Sequence, residues 1–291
     1  LELAFDILSD TLQNSLFDQT EIDRERGTII EEINMYEDTP MYDIDEVFYN
    51  LIYKSHPLGW SVAGDKKTVS NIQREDFVKY CKRFYQGSDM VLAVGGGVTE
   101  LQVKELAEKY FGGFEKGNKE KIVEFAEKQI SPRLKIKTKQ TDQCHLYLGY
   151  PAFSFFDEDK TALSVLQTIL GGGMSSRLFI QIRERRGLAY YVKAVAELHH
   201  ETGYLAARAG VNIGKAEEAV KVILEEFAKV KEDVKEEELT KAKEYLKGHI
   251  ALNLEDSLDV AEWYGQKELM LEKIETMYNI MVKLQEKEGR S

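Results

Sequence analysis

The chain has 291 residues, 43% of them hydrophobic and 31% charged, with a formal net charge of −12. That length allows about two domains and a sizeable core, and the acidic balance excludes a protein that tracks a phosphate backbone, which needs a basic face. No apolar run approaches a bilayer span, so no membrane helix is expected, and Cys81 and Cys144, each alone in its segment, fit buried thiols in a reducing, cytoplasmic compartment better than a disulfide framework.

Residues 1–16 place Leu1, Ala4, Phe5, Leu8, Leu12 and Leu16 at helical spacing. The chain starts inside this apolar stretch, which reads as a cut: a middle piece of a longer protein is expected. A second helix is predicted after Thr20, with Thr20 and Asp23 in a capping-box pattern, and a third over 41–54 after Pro40. HPLGWSVAG (56–64) has the punctuation of an irregular loop. A short helix at 74–85 leads to MVLAV (90–94), an apolar run of buried-strand type, and Gly95–Gly97 lead into a helix at 99–110. Residues 116–131 are the linker candidate between a first domain (1–115) and a second (132–291). In the second, RLKIKTK (133–139) alternates as a strand with Leu134 and Ile136 on one face, and QCHLYLGY (143–150) is another strand. Helices at about 158–170 and 176–185, strands at about 189–198 and 203–211, and helices at 214–231, 236–254 and from Ser257 complete the order. Strand pairs between helix pairs, without a β-α-β rhythm, predict an α+β fold of antiparallel sheets with helices packed on them.

A faint internal echo accompanies this order. At an offset of 217 residues, Glu21, Ile22 and Ile33 fall on Glu238, Leu239 and Ile250, while Ala242 and His249 take the places of Glu25 and Glu32. Two generic amphipathic helices could match this well by chance.

The helix 22–38 carries Glu25, Glu31 and Glu32. At about 100° per residue, Ile22, Ile29, Ile30 and Ile33 define a buried face, Glu25 and Glu32 flank it, and Glu31 points to solvent. Glu25 and Glu32 stand two turns apart, about 10 Å along the axis, so both cannot ligate one ion directly. On geometry alone they serve equally as edge carboxylates paired with Arg24, Arg26 or a neighbouring helix. No two of the five histidines are three to five residues apart, so the chain holds no local zinc pair of the H-x-x-x-H kind.

At these residues a family pattern enters. ERGTIIEEI resembles the E-x6-E segment of the insulinase/pitrilysin family of zinc peptidases, which includes the mitochondrial processing peptidase. HPLGWSVAG, then MVLAVGGGV, then GGGMSSRLFIQIRERRGLAYYV (171–192) are similar to that family's later segments in the same order, over about residues 1–270. The resemblance implies two related domains truncated at both ends, a metal-binding half followed by a substrate-binding half. It implies Glu32 as a zinc ligand, Glu25 as an acid acting behind the ligands, and Arg183 and Tyr190 as the pair that holds substrate backbone and polarises the scissile carbonyl. Tyr190 is preferred to Tyr191 because its spacing from Arg183 matches the family.

The family's H-x-x-E-H helix, source of two histidine ligands and a general base, does not occur in this sequence, and residues 271–291 drift from the pattern. The implied protein is a zinc metalloendopeptidase acting on extended peptides, with this piece inactive alone. The alternative is a non-catalytic peptide-binding or structural subunit of the same fold, against which the retention of Glu25 and Glu32 counts. The implied partners are a peptide substrate and a second subunit, as homodimer or heterodimer, with no nucleic acid and no membrane. The triple glycines lack a phosphate-loop pattern. His145 is expected to be a hydrogen-bonded structural residue, His199 and His200 solvated at a hairpin tip, and Trp60 and Trp263 packing anchors.

Overall fold

The computed structural model describes residues 1–126, 129–271 and 274–286. In chain order the elements are helices α1 (Glu2–Gln13), α2 (Gln19–Asp38), α3 (Pro40–Tyr53), α4 (Lys66–Asn71), α5 (Arg74–Phe84) and α6 (Glu100–Phe111). They are followed by strand β1 (Gln143–Ala152), helix α7 (Lys160–Gly171), strands β2 (Ala189–Leu198) and β3 (Gly203–Asn212), and helices α8 (Ala216–Lys229), α9 (Glu236–Asn253), α10 (Ser257–Leu271) and α11 (Met277–Glu286). The architecture is mixed and mostly helical around a small antiparallel sheet, as the sequence predicts. The cap of α2 differs from the expected one. Asp18 rather than Thr20 starts the helix, its carboxylate accepting from the backbone N–H of Thr20 (2.9 Å) and Glu21 (3.3 Å), so the helix begins two residues earlier.

Contacts divide the chain into two compact units that interleave along the sequence. Unit 1 takes Leu1–Asn34, Val62–Ile122 and Leu252–Thr276, and unit 2 takes Met35–Ser61, Val123–Ala251 and the segment from Met277 onward. This grouping differs from a division by chain order at 116–131, a segment in which residues 127–128 lie outside the described ones.

Unit 1 is helical among its described residues. Phe5 of α1 is buried against Phe111 of α6, and Phe17 stacks on Phe77 of α5. The strand expected at 90–94 does not form. The segment packs on α10 instead: a Cβ on Gly95 would lie 2.3 Å from the Ser257 carbonyl oxygen, and one on Gly265 would lie 3.1 Å from the Ala93 methyl. Only glycine permits that approach of backbone to helix, and Val91 and Leu92 are left exposed.

Unit 2 holds the sheet, ordered β1-β3-β2 with both pairings antiparallel. The central strand is buried on both faces, and its alternation shows which side chain serves which face. Leu205, Ala207, Ala209 and Val211 join the main core with α7 and α8, while Tyr204 and Ala206 join Phe48 and Tyr53 of α3 on the opposite face. Under α3 the rings of Phe48 and Tyr147 stack at 4.0 Å between centroids. The Tyr204 hydroxyl donates to Glu197 (2.5 Å), and Arg208 pairs with Asp45 (3.1 Å) and donates to the Met41 carbonyl. Burial raises the Asp45 carboxyl above its usual value despite Arg208.

The strand expected at 133–139 does not form either. Its lysines turn to α3, Lys135 to Asn50 (2.6 Å) and Lys137 to Asp43 (2.7 Å), and Lys139 goes to Asp38 (3.0 Å), leaving Leu134 and Ile136 exposed. The alternation is real, but the ion-pairing face is the one held.

The offset of 217 residues reappears in the elements. It carries the start of α2 onto the start of α9 and the start of α3 onto the start of α10, and it carries the unit boundary after Asn34 onto the boundary after Ala251. Each copy contributes its second helix to the unit that does not hold the start of its first.

Candidate functional site

The predicted site residues fall in two groups. Glu25 and Glu32 belong to the α2 portion of unit 1, and Arg183 and Tyr190 belong to unit 2.

On α2 the buried face is the one read from the sequence: Ile33 is buried and Ile22, Ile29 and Ile30 are half-buried. Glu25, Glu31 and Glu32 are all exposed, so the expected difference between Glu31 and the flanking pair does not appear as burial; α2 is covered along too narrow a stripe. The neighbouring arginines are occupied one turn earlier. Arg24 pairs with Glu21 (2.7 Å), and Arg26 pairs with Asp23 (2.6 Å) and donates to the Ile72 carbonyl (2.8 Å). Glu25 and Glu32 therefore do not serve to neutralise them.

A catalytic zinc centre takes three protein donors. Among the described residues no group of three or more His, Cys, Asp or Glu side chains is placed to hold a metal ion. These residues do not by themselves make a zinc site, although the unburied carboxylate of Glu32 is chemically suited to be one donor.

In unit 2 the segment 171–192 is pinned by buried residues and interrupted at two points. Gly171 ends α7 where a Cβ would lie 2.0 Å from the Ala194 backbone nitrogen, so helix and strand β2 touch through that glycine. Arg177 is buried and forks onto Glu238 (2.6 and 2.8 Å) and Asp233 (2.5 Å); these charge-assisted bonds push its guanidinium above its ordinary value and hold Glu238 below 4.5. Residues Phe179–Glu184 form a π-helical turn in which the Arg185 N–H donates to the Ile180 carbonyl (2.9 Å). Leu178 and Ile182 point into the core, fully buried. Arg183, on the outer side, lays its guanidinium over the Phe179 ring, 5.2 Å from the centroid. Gly187, at a φ of +56°, turns the chain into β2.

Tyr190 is the extra residue of a β-bulge. Ala189 pairs with Val211 and Tyr191 with Gly210, so two steps on β2 oppose one on β3. In a regular strand Tyr190 would share the core face of Val192 and Ala194. The bulge gives that place to Ala189 and leaves Tyr190 58% exposed. Tyr191 is engaged inside the unit: its hydroxyl meets His145 Nδ1 at 3.0 Å, and its ring fills the space a side chain on Gly210 would need. Burial, and then Arg208, lower the His145 pKa, favouring the neutral ring of a structural histidine. The sequence expectations for Arg183 on a helical turn, Tyr190 at the start of a strand and His145 as a hydrogen-bonded residue agree with this placement.

Other expectations are corrected. His199 and His200 lie at the hairpin tip as expected, but they are only partly solvated, since rings of Tyr53, Phe155 and Phe156 pack edge-on against them. Trp60 is exposed, its indole N–H donating to the Ser55 carbonyl (3.2 Å), because the loop around it lies on the surface. Sequence reasoning passed over Phe179, although its spacing of four residues from Arg183 is the spacing at which helical side chains meet. It also passed over Arg177, whose partners are distant in the chain.

Comparison with known proteins gives consistent matches. Residues 1–66 match the family described as Insulinase (Peptidase family M16), and residues 71–246 match the Peptidase M16 inactive domain. The uncharacterized zinc protease YmxG of Bacillus subtilis is 31% identical over 282 residues, covering 97% of this chain and 68% of that protein. The uncharacterized zinc protease ML0855 of Mycobacterium leprae is 34% identical over 273 residues, 92% of this chain and 61% of that protein. The chain thus spans about two thirds or less of the length of these relatives. A protease from Helicobacter pylori shares the fold with a TM-score of 0.88 at 22% identity, over 99% of this chain and 71% of that one. A peptidase M16 inactive domain from Pseudomonas fluorescens shares it with a TM-score of 0.84 at 20% identity, over 98% and 68%.

Proposed function

We propose a zinc-dependent endopeptidase function for the whole protein, on the premise that this chain belongs to the insulinase family, peptidase family M16. The observation that carries the reading is that Arg183 and Tyr190 are both exposed hydrogen-bond donors, one presented by a π-turn and the other by a bulge, on either side of the buried Leu188. Glu25 and Glu32 lie in the stretch that matches the insulinase family, and Arg183 and Tyr190 lie in the stretch that matches the inactive domain, which fits a metal half and a substrate half.

Arg183 would hold carbonyl oxygens of an extended peptide, and Tyr190 would donate its phenolic proton to the oxygen on which charge develops as the scissile carbonyl is attacked. Glu32 would be one metal ligand, and Glu25, two turns away, would orient the ligands from behind. In the family pattern two histidine ligands and the general base come from an H-x-x-E-H helix upstream, and the zinc there activates water and polarises the carbonyl. A cytoplasmic location and pairing with a second, like or related, subunit belong to the same proposal.

A second reading, a non-catalytic peptide-binding or structural subunit, is favoured by one observation: the 71–246 match is to a domain described as inactive. Zinc content and peptide turnover of the whole protein separate the two. On the enzyme reading, Glu32→Gln removes most of the zinc and the activity, Glu25→Gln weakens them about 10–100-fold, and Glu31→Gln changes neither. Tyr190→Phe lowers kcat more than it raises KM. A whole protein without bound zinc or turnover belongs to the second reading, and damage from Glu31→Gln would end the assignment of these glutamates.

A further inference from the structure

We infer that Phe179 is a positioning residue for Arg183, a fixed aromatic plate that holds the guanidinium ready for a peptide carbonyl. The inference rests on the proposed reading of Arg183 as a substrate-binding group. An exposed arginine samples many rotamers, and ordering it on binding costs free energy that a preorganised side chain has already spent. A carboxylate partner would order it too, but would consume the N–H donors that substrate needs. The face of an aromatic ring leaves those donors free, because the cation is held through the π-system while its N–H bonds point outward from its edge.

The structure supplies such a plate. The Arg183 Cζ lies 5.2 Å from the Phe179 centroid, within the range of a cation–π contact. Phe179 is itself half-buried against the main core, between the fully buried Leu178 and the turn that carries Ile182. The plate is therefore anchored while the cation above it remains exposed. Arg177 and Arg186 nearby meet different fates: Arg177 is spent on Glu238 and Asp233, and Arg186 donates to the Gln181 carbonyl (2.8 Å). Arg183 is the one laid on a ring.

The test uses the whole protein, with KM and kcat for an extended peptide, the Kd of an uncleavable analogue, and the thermal midpoint of each variant. Phe179→Leu and Phe179→Met remove the ring while keeping apolar volume, and each should raise KM and Kd about three- to tenfold with little change in kcat. Phe179→Trp, which keeps a ring, should restore both constants. In an Arg183→Gln background the loss of the ring should add nothing further. The inference is overturned if ringless variants lower the thermal midpoint without moving KM or Kd, if Phe179→Trp is as impaired as Phe179→Leu, or if the ring matters equally without Arg183. If Arg183→Gln itself leaves KM and Kd unchanged, the reading of Arg183 falls and takes this inference with it. An effect of Arg183→Gln without one from Phe179→Leu would remove only the plate.

Discussion

Arg177 and Arg183 lie six residues apart and show how burial decides what a cation is for. Arg177 is enclosed, donating four hydrogen bonds: two to the Glu238 carboxylate, one to the Asp233 carboxylate and one to the Asp233 carbonyl. Removing one partner of a buried pair leaves the others desolvated and unpaired. Asp233 and Glu238 are themselves partly exposed, so solvent offsets some of that loss. Arg177→Ala is expected to cost about 2–3 kcal/mol of stability, measurable by urea unfolding. The pH dependence has a definite sign. The Glu238 carboxyl is held below its ordinary value of 4.5, chiefly by Arg177, so its stabilisation is complete above that value and fades as pH falls through the lowered one. The stability difference between the native protein and Glu238→Gln should shrink on acidification in that window; a constant difference would contradict the pairing. Nothing local distinguishes the two arginines in sequence, because the carboxylates that claim Arg177 lie 56 and 61 residues away.

Elements were legible where periodicity reports burial and illegible where it must report a partner. Helices α3, α8 and α9 and strand β3 stand where the sequence put them, and each buries apolar side chains in a core. The apolar run at 90–94 and the alternating run at 133–139 are equally regular, yet neither joins a strand: one touches α10 with Val91 and Leu92 exposed, and the other is held by its lysines with Leu134 and Ile136 exposed. Period alone cannot tell these cases apart. The π-turn at Phe179–Glu184 and the bulge at Tyr190 were invisible for another reason: each is a one-residue irregularity imposed by tertiary packing, and it is these irregularities that expose the candidate site. Glycine at 171 is a legible exception in retrospect, since a helix ending in three glycines leaves room for a close approach of another backbone. Gly171→Ala would drive a methyl into the Ala194 backbone, 2.0 Å away, and should cost about 3 kcal/mol or more. Gly173→Ala, whose nearest neighbour is the Tyr245 ring at 3.5 Å, should be tolerated. Comparing the two unfolding curves checks the contact, and equal stabilities would refute it.

At the scale of the whole chain, the repeat and the grouping into units make one prediction that chain order alone would not. If the protein were two consecutive domains joined by 116–131, separate halves would each fold. The grouping by contacts leads to a different expectation, because unit 2 draws α3 from the first half and unit 1 draws α10 from the second. Without α3, the second half would expose Tyr147, Val195, Tyr204 and Ala206 on the uncovered face of its sheet, together with Glu197 and Arg208 stripped of Tyr49 and Asp45. A large aromatic patch beside unpaired charges is a recipe for association or partial unfolding. Residues 1–131 and 132–291 produced apart should therefore be aggregation-prone or loosely folded, with shallow unfolding transitions. Co-expressed, they should co-purify as a soluble one-to-one pair whose unfolding is more cooperative than that of either half. Two halves that each give sharp, independent transitions would mean that α3 and α10 are dispensable covers and that division by chain order describes the folding units.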